Sequence, residues 1–345
     1  MASPLVLSVL DQSPVPEGST PGEALRNSVN LAQLADGLGY RRYWLAEHHA
    51  SPGVACASPE VLIAAVAQAT RDIRVGSGGV MLPHYSPLKV TETFSMLAGL
   101  FPGRIDLGIG RAAGTSPMVA RALQRDRRSE MPDDFREQLD ELLGYFSAPQ
   151  SNAGPFPRVL PIQFACPEPW LLGSSPQSAI WAAELGLPYV FADFINAEGS
   201  AIAAQYRRDF RPSRWSSRPR LAVAAWAVAA DSDDEAEDLS ASMRMMMTLL
   251  QRGQQIPVPS VARALQFLKD EPPQHPFFGM AKRRFITGSP TTVRRRLESL
   301  ANEYGAEEIL LVNILHDHQA RLRSYQLLAE EFQLMEQPAS KHLVT

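Results

Sequence analysis

Short apolar runs alternate with longer segments of helical character along most of the chain. From these runs we predict eight β-strands, at residues 5–10, 41–46, 73–78, 104–110, 170–173, 189–194, 221–229 and 308–314. Strands this apolar leave no face for water, so they indicate a parallel sheet covered by helices, in the α/β class. Eight repeats favour closure into a (β/α)8 TIM barrel. The alternative is a doubly wound open sheet, whose dinucleotide-binding form would need a glycine-rich turn after the first strand.

The ends of the helical segments support the same repeat. Five predicted helices open with a hydroxyl residue followed by proline, which suits a cap and the first helical position: Thr20-Pro21, Ser58-Pro59, Ser86-Pro87, Ser175-Pro176 and Ser289-Pro290. Thr20 and Glu23 also have the spacing of a capping box. Glycines that let the chain leave a helix in a left-handed conformation stand just before four predicted strands: Gly39, Gly103, Gly186 and Gly305.

The least regular stretch, residues 231–285, separates the seventh strand from a helix that starts near Pro290. It begins with acidic residues, continues through four closely spaced methionines (Met243, Met245, Met246 and Met247) and ends rich in proline. We expect the methionines to pack in a helix core rather than to bind a metal or cofactor. The long connection suits a lid. The chain is thus predicted to form one domain over residues 1–336, with a flexible tail over residues 337–345.

Charge and cysteine content exclude several classes of protein. Lys and Arg number 33 against 37 Asp and Glu, for a net charge of -4, and no basic block could follow a phosphate backbone. Cys56 and Cys166 lack the spacing of a metal site or a disulfide framework. The apolar start is too short for a signal peptide, and no run approaches the roughly 18 residues of a membrane span. We therefore expect a cytoplasmic protein with no nucleic-acid, membrane or metal partner.

Polar residues at the strand ends are the candidates for chemistry, because the loops that follow the strands build the active site of a barrel. They are Asp11 and Ser13 after the first strand, Glu47, His48 and His49 after the second, and Ser174 and Ser175 after the fifth. Adjacent side chains on a strand point to opposite sides, so one histidine can face the barrel axis. An imidazole there can act as acid, base or hydrogen-bond donor. Without this position, two ordinary loop histidines would be the better interpretation.

Glycines and an arginine at the next strand ends suggest a ligand with a flat part and an anionic part. Gly78-Gly79 fits either a close approach of backbone to a flat ligand or a bulge at the barrel rim, and the sequence leaves both open. Arg111 follows a glycine-rich strand end, while Ser174 and Ser175 begin a helix whose N-terminus favours an anion. If only the two serines were present, helix capping would be a sufficient explanation for them. Together with Arg111 they predict a phosphate clamp.

Five segments resemble one known family in the same order along the chain. Residues 42–49, Arg-Tyr-Trp-Leu-Ala-Glu-His-His, closely resemble the segment around the catalytic histidine of the bacterial luciferase α subunit. Residues 75–83, 102–111, 181–188 and 286–290 are similar as well, and the match covers residues 5 to about 332. The chain is therefore identified as a member of the luciferase-like flavin-dependent monooxygenases. The resemblance implies a homodimeric barrel that uses reduced FMN from a separate NAD(P)H:flavin reductase, and O2, to oxidise a small organic substrate.

The resemblance also implies roles for individual residues. His48 aligns with the catalytic histidine, and Gly78-Gly79, followed by Val80, with the pair that forms a non-prolyl cis peptide under the flavin ring. The phosphate site would comprise residues from three segments: Arg111, Arg136, Ser174, Ser175 and Ser178. Polar neighbours at the mouth are assigned to the substrate pocket: Asp11, Ser13, Glu47 and His49.

Two departures from the family pattern limit the prediction. Gly110 stands where bacterial luciferase has a reactive cysteine, and Ser174 replaces a glutamate of the phosphate site. Light emission from a long-chain aldehyde is therefore not implied. The alternatives are an F420-dependent oxidoreductase and a flavin-binding barrel without catalysis. A sugar-phosphate isomerase or aldolase would need a lysine or carboxylate base at a strand end, where only Asp11 and Glu47 are available.

Overall fold

Eight parallel strands close into a ring at the centre of the computed structural model, which describes residues 4–111, 116–123, 134–147, 166–270 and 285–336. The strands of the described residues are β1 (Val6–Asp11), β2 (Arg42–Leu45), β3 (Arg74–Met81), β4 (Ile105–Gly110), β5 (Glu168–Gly173), β6 (Tyr189–Ala192), β7 (Leu221–Ala229), β8 (Phe285–Gly288) and β9 (Glu308–Val312). Strands β1 to β7 pair in sequence order, and β9 closes the ring by pairing with both β7 and β1. The TIM barrel predicted from the eight apolar runs is confirmed.

Helices surround this ring. They are α1 (Pro21–Gly37), α2 (Pro59–Ala69), α3 (Pro87–Leu100), α4 (Pro117–Leu123), α5 (Phe135–Ser147), α6 (Pro176–Leu185), α7 (Ser200–Asp209), α8 (Asp233–Gln251), α9 (Val261–Asp270), α10 (Pro290–Tyr304) and α11 (His318–Glu331). The five predicted hydroxyl–proline starts all begin helices, and the capping box is present, with the Glu23 N–H donating to Thr20 Oγ1 at 3.2 Å. Among the described helices, none is both long and apolar enough to cross a membrane.

Side chains alternate between two apolar layers along each strand. On β2, Tyr43 and Leu45 pack outward against helices, whereas Trp44 and the following Ala46 belong to a cluster inside the barrel. Val9 and Leu10 of β1 divide in the same way. This period of two decides which residues can reach the barrel mouth.

A layer of charged side chains, here called the basal layer, closes the end of the barrel where the strands begin. It contains three cations and three anions: Arg42, Arg74, Arg220, Asp106, Glu168 and Glu308. The buried Arg42 guanidinium lies 2.7 Å from Asp106, 3.0 Å from Glu308 and 3.3 Å from Glu168, and stacks over Trp170. Burial would raise the pKa of Glu168, but the three arginines hold it well below its usual value. Three guanidinium groups thus face three carboxyl groups, so the formal charges of the layer balance.

The stretch at residues 231–285, predicted as an irregular insertion, contains regular structure. It includes α8 and α9, which pack together, and it ends in β8, a strand that the sequence did not predict. Strand β8 lies outside the ring and pairs with the last four residues of β7. The helix expected near Pro290 is α10. Residues 271–284 and the predicted tail at 337–345 lie outside the described residues.

Candidate active site

Two connected cavities occupy the mouth of the barrel, at the ends of the strands. The inner cavity, of about 290 Å³, has walls of strand residues and a rim that includes Arg111 and Ser174; the main wall residues are Leu10, Trp44, Gly78, Leu172, Val190, Ala224 and Leu310. The outer cavity, of about 670 Å³, lies towards α8 and is lined mainly by His49, Val54, Trp226, Met246, Met247, Leu250 and Ile256. Gln12, His48, Phe194 and Ile195 line both cavities. The junction is thus where a cofactor and a substrate could meet.

His48 stands at this junction. It follows Trp44 and Ala46 at intervals of two residues, so its side chain continues the inward-facing row of β2. Burial, with a smaller contribution from His49, lowers the pKa of His48 to about 4. Its Nδ1 atom is buried and has no hydrogen-bond partner among the described residues. His48 is therefore a neutral imidazole with one buried nitrogen whose hydrogen-bonding capacity is unused among the described residues.

Glu47 lies behind this surface instead of in either cavity. Its buried carboxylate accepts hydrogen bonds from the backbone N–H of Met81 at 2.9 Å and the Tyr85 hydroxyl at 2.9 Å. His49 Nε2 lies 2.7 Å from the same carboxylate, and the His49 ring lines the outer cavity. Glu47 thus joins the end of β2 to the segment after β3 and orients His49.

Gly78 and Gly79 form a cis peptide bond at a bulge of β3, where the register with β4 shifts between Ser77 and Val80. A Cβ atom at Gly79 would lie 2.8 Å from the carbonyl oxygen of Gly108, and one at Gly78 would overlap the side chain of Leu10. Both glycines also line the inner cavity. The bulge that the sequence allowed is therefore present, and it forms part of the wall of the inner cavity.

Val80, which follows the two glycines, does not line the inner cavity. Its side chain is buried in the outer apolar layer, and Met81 lines the inner cavity instead. The bulge shifts the alternation of β3 by one residue. Alternate residues counted from Arg74 would therefore include Val80, whereas Met81 is the residue that lines the cavity.

The residues predicted to form a phosphate clamp all line the inner cavity. Arg111 is exposed after β4, with its guanidinium 5.5 Å from the centre of the Trp181 ring. Ser175 caps α6 by accepting from the Ser178 N–H, and the Ser178 hydroxyl donates to the Ser175 carbonyl at 2.7 Å. These serines therefore serve as caps and line the cavity together with Ser174. The arrangement can bind an anion at the N-terminus of α6.

Besides Glu47 and Val80, the structure places three further predicted site residues outside both cavities. Arg136 on α5 forms surface ion pairs with Glu184 at 2.8 Å and Asp140 at 3.0 Å, outside both cavities. Asp11 is fully buried and pairs with Arg321, and Ser13 donates its N–H to Asp11 at 2.7 Å.

The placement of Asp11 and Ser13 follows from strand alternation. Burial alone would raise the pKa of Asp11, but the Arg321 guanidinium and the hydrogen bonds around the carboxylate hold it below its ordinary value. Leu10 and Gln12 point into the barrel, so Asp11 and Ser13 point away from it. Together with Arg321 they form a buried polar network behind the mouth.

Sequence reasoning missed the apolar half of the site, because it considered only polar residues at strand ends. Phe194 and Trp226 line the outer cavity two residues beyond Ala192 and Ala224, so strand alternation could have identified them. Of the four methionines, Met243 and Met245 are buried as expected, whereas Met246 and Met247 are half-buried and line the outer cavity.

Known proteins share both the sequence pattern and this architecture. Residues 6–308 match the family model for luciferase-like monooxygenases. A luciferase-like monooxygenase of Escherichia coli (strain K12) is 40% identical, covering 94% of this chain and 96% of its own. The crystal structure of apo-MsnO8 has a TM-score of 0.89 at 42% identity, covering 97% of this chain and 99% of that one.

A more distant structure has the same fold. The oxygenating constituent of 3,6-diketocamphane monooxygenase from Pseudomonas putida, in complex with FMN, gives a TM-score of 0.72 at 21% identity, covering 96% of this chain and 98% of its own. The family match and the E. coli relative, each spanning most of the chain, decide the assignment. The chain belongs to the luciferase-like monooxygenase family of oxidoreductases.

Proposed function

We propose that this protein is the oxygenating component of a two-component flavin monooxygenase, which receives reduced FMN from a separate NAD(P)H:flavin reductase. The observation that carries the proposal is the position of His48. Its buried Nδ1 has no hydrogen-bond partner among the described residues, and its side chain lines the same cavity as Arg111 and the N-terminus of α6. The homodimer expected from the family resemblance and the cytoplasmic location expected from the cysteine content and the apolar patterning belong to the same proposal.

The donor set of the inner cavity fits FMN. Arg111, Ser174, Ser175 and Ser178 would hold the phosphate, since a guanidinium and a helix N-terminus favour an anion. Between this rim and His48, the wall is apolar strand residues and the Gly78-Gly79 backbone, which suits a flat ring. The FMN complex of the 3,6-diketocamphane enzyme supports the choice of cofactor.

When bound, reduced FMN supplies the two electrons that let one atom of O2 enter the substrate while the other leaves as water. The protein contributes proton transfer and positioning. His48 is neutral at working pH because burial lowers its pKa to about 4, so one of its ring nitrogens can donate a hydrogen bond and the other can accept one. Glu47 accepts from the N–H of Met81, the last residue of β3, and thereby holds in place a residue that lines the inner cavity. The apolar walls exclude water around the reacting atoms.

The experiment is an anaerobic titration with reduced FMN, oxidised FMN and reduced F420. We expect reduced FMN to bind most tightly, because the reductase would deliver the reduced form. On mixing with O2, reduced FMN bound to the protein should then be oxidised at a different rate from free reduced FMN, which O2 oxidises without any protein. Tighter binding of reduced F420, or no preference for reduced over oxidised FMN, would overturn the proposal.

A further inference from the structure

The outer cavity contains no Asp, Glu, Lys or Arg side chain among the described residues that line it. Its walls are aromatic, aliphatic and thioether groups, chiefly Phe194, Ile195, Trp226, Met246, Met247 and Ile256. A carboxylate or ammonium group moved into such a wall would lose its hydration without gaining a partner, at a cost that a neutral group avoids. The composition of the wall therefore selects against ions.

The two histidines of the cavity do not supply a net cation either. His48 is neutral because its burial lowers its pKa to about 4. His49 lies 2.7 Å from the buried Glu47 carboxylate, so any positive charge on it is already balanced. The nearest arginines of the lining helix point elsewhere: Arg244 pairs with Glu237, and Arg252 stacks on Phe267.

Neutral hydrogen-bonding groups and flat rings complete the outer cavity. Gln12, Gln251 and Gln255 line it with amides, which can pair with hydroxyl or carbonyl groups of a ligand. The Trp226 ring stacks on Phe285 with centroids 4.9 Å apart and lies 5.6 Å from Phe194, which makes a rigid aromatic wall. The volume of about 670 Å³ is typical of sites for drug-sized ligands rather than for molecules of a few carbon atoms.

We propose that the outer cavity binds an uncharged, largely apolar molecule with a planar ring and neutral oxygen groups, and that this class provides the substrate. Only the claim that the bound molecule is the substrate rests on the proposed function. Binding to the cavity itself needs neither flavin nor turnover.

The test compares two probes that share one ring system and differ in charge. Titration calorimetry at pH 8 measures the affinity of the flavin-free protein for 2-naphthalenemethanol and for 2-naphthoate. We expect the alcohol to bind at least tenfold more tightly than the carboxylate. Equal or tighter binding of 2-naphthoate, or no binding of the alcohol at millimolar concentration, would overturn the proposal.

Charged variants locate the binding site. Met247→Lys and Gln251→Lys each place a cation at the outer cavity, and Gln251 is exposed at the end of α8, so its variant should fold normally. We expect both to bind 2-naphthoate more tightly than the parent protein does. Met96→Lys, on the exposed surface of α3, is the matched control and should change nothing. An unchanged probe preference in both cavity variants would place the probe elsewhere and contradict the inference.

The two proposals can fail separately. If the alcohol binds as expected but reduced FMN does not, the oxygenase assignment is wrong and the neutral cavity stands. If reduced FMN binds and the alcohol does not, the substrate class is wrong and the cofactor assignment stands.

Discussion

At the scale of single residues, burial rather than an ionic partner sets the charge of His48. The unfolded chain binds a proton near the ordinary histidine pKa of 6.5, whereas the folded protein does so only near pH 4. Between these values the unfolded state carries the extra proton, so stability is full above pH 6.5 and falls as the pH drops.

His48→Gln should make the protein less sensitive to acid. Because the variant lacks the titrating group, its loss of unfolding free energy between pH 7 and pH 4.5 should be smaller than that of the parent by about 2 kcal/mol. Urea unfolding at both pH values measures the difference. An identical loss in the two proteins would show that His48 is not held neutral by the fold.

His48→Ala should impair oxidation without weakening the cofactor. The rim residues that would hold the phosphate remain, so affinity for reduced FMN should change little, while product formation falls by about 10²–10⁴-fold. His49→Ala removes a partner of Glu47 and should act mainly on stability. A well-folded, inactive His49 variant beside a normally active His48 variant would reverse the two roles.

Arg111→Ala should weaken FMN binding far more than riboflavin binding, because riboflavin lacks the phosphate that the guanidinium would hold. Arg136→Ala is the matched control, since this arginine pairs with Glu184 outside the cavities, and it should leave both affinities unchanged. Fluorescence titration with the two ligands measures the effect. Equal losses of FMN and riboflavin affinity in the Arg111 variant would remove it from the phosphate site.

At the scale of elements, β3 and β4 approach more closely than side chains would allow. A Cβ atom at Gly76 would lie 2.6 Å from the carbonyl oxygen of Asp106. Gly76→Ala should therefore destabilise the protein by about 1–3 kcal/mol through forced displacement of the strands. Gly37→Ala, at a site in α1 with no atom within 4 Å, should be neutral or slightly stabilising. Thermal unfolding of both variants tests this, and equal melting temperatures would contradict the packing argument.

Apolar periodicity was sufficient to predict the ring of strands and the helix starts, because each strand is buried on both faces and each proline marks a first helical turn. It did not predict β8, because this strand has only four residues and pairs with the last four residues of β7, outside the ring. Within the site, the sequence predicted His48, Arg111 and the α6 serines. It misplaced Asp11 and Ser13, because alternation was applied to the histidines and not to β1.

At the scale of the whole molecule, the two ends of the barrel have different composition. In the basal layer Arg42 and Asp106 are fully buried and pair with each other, so removal of Arg42 leaves its carboxylate partners uncompensated. Arg42→Met should therefore destabilise the protein by about 3–5 kcal/mol while affinity for reduced FMN is unchanged. Arg208→Met, which removes an exposed pair with Asp209, should cost less than about 1 kcal/mol. Comparable urea midpoints for the two variants would show that the basal layer contributes little to stability.

The separation of these two ends bears on how the enzyme could be adapted to new substrates. The residues that face the outer cavity from α8, such as Met246, Met247 and Leu250, are only partly buried or exposed and lie outside the basal layer. Libraries confined to these positions should keep most variants folded, since the ionised end of the barrel is untouched. Directed evolution of substrate selectivity can therefore target a few neighbouring positions of α8.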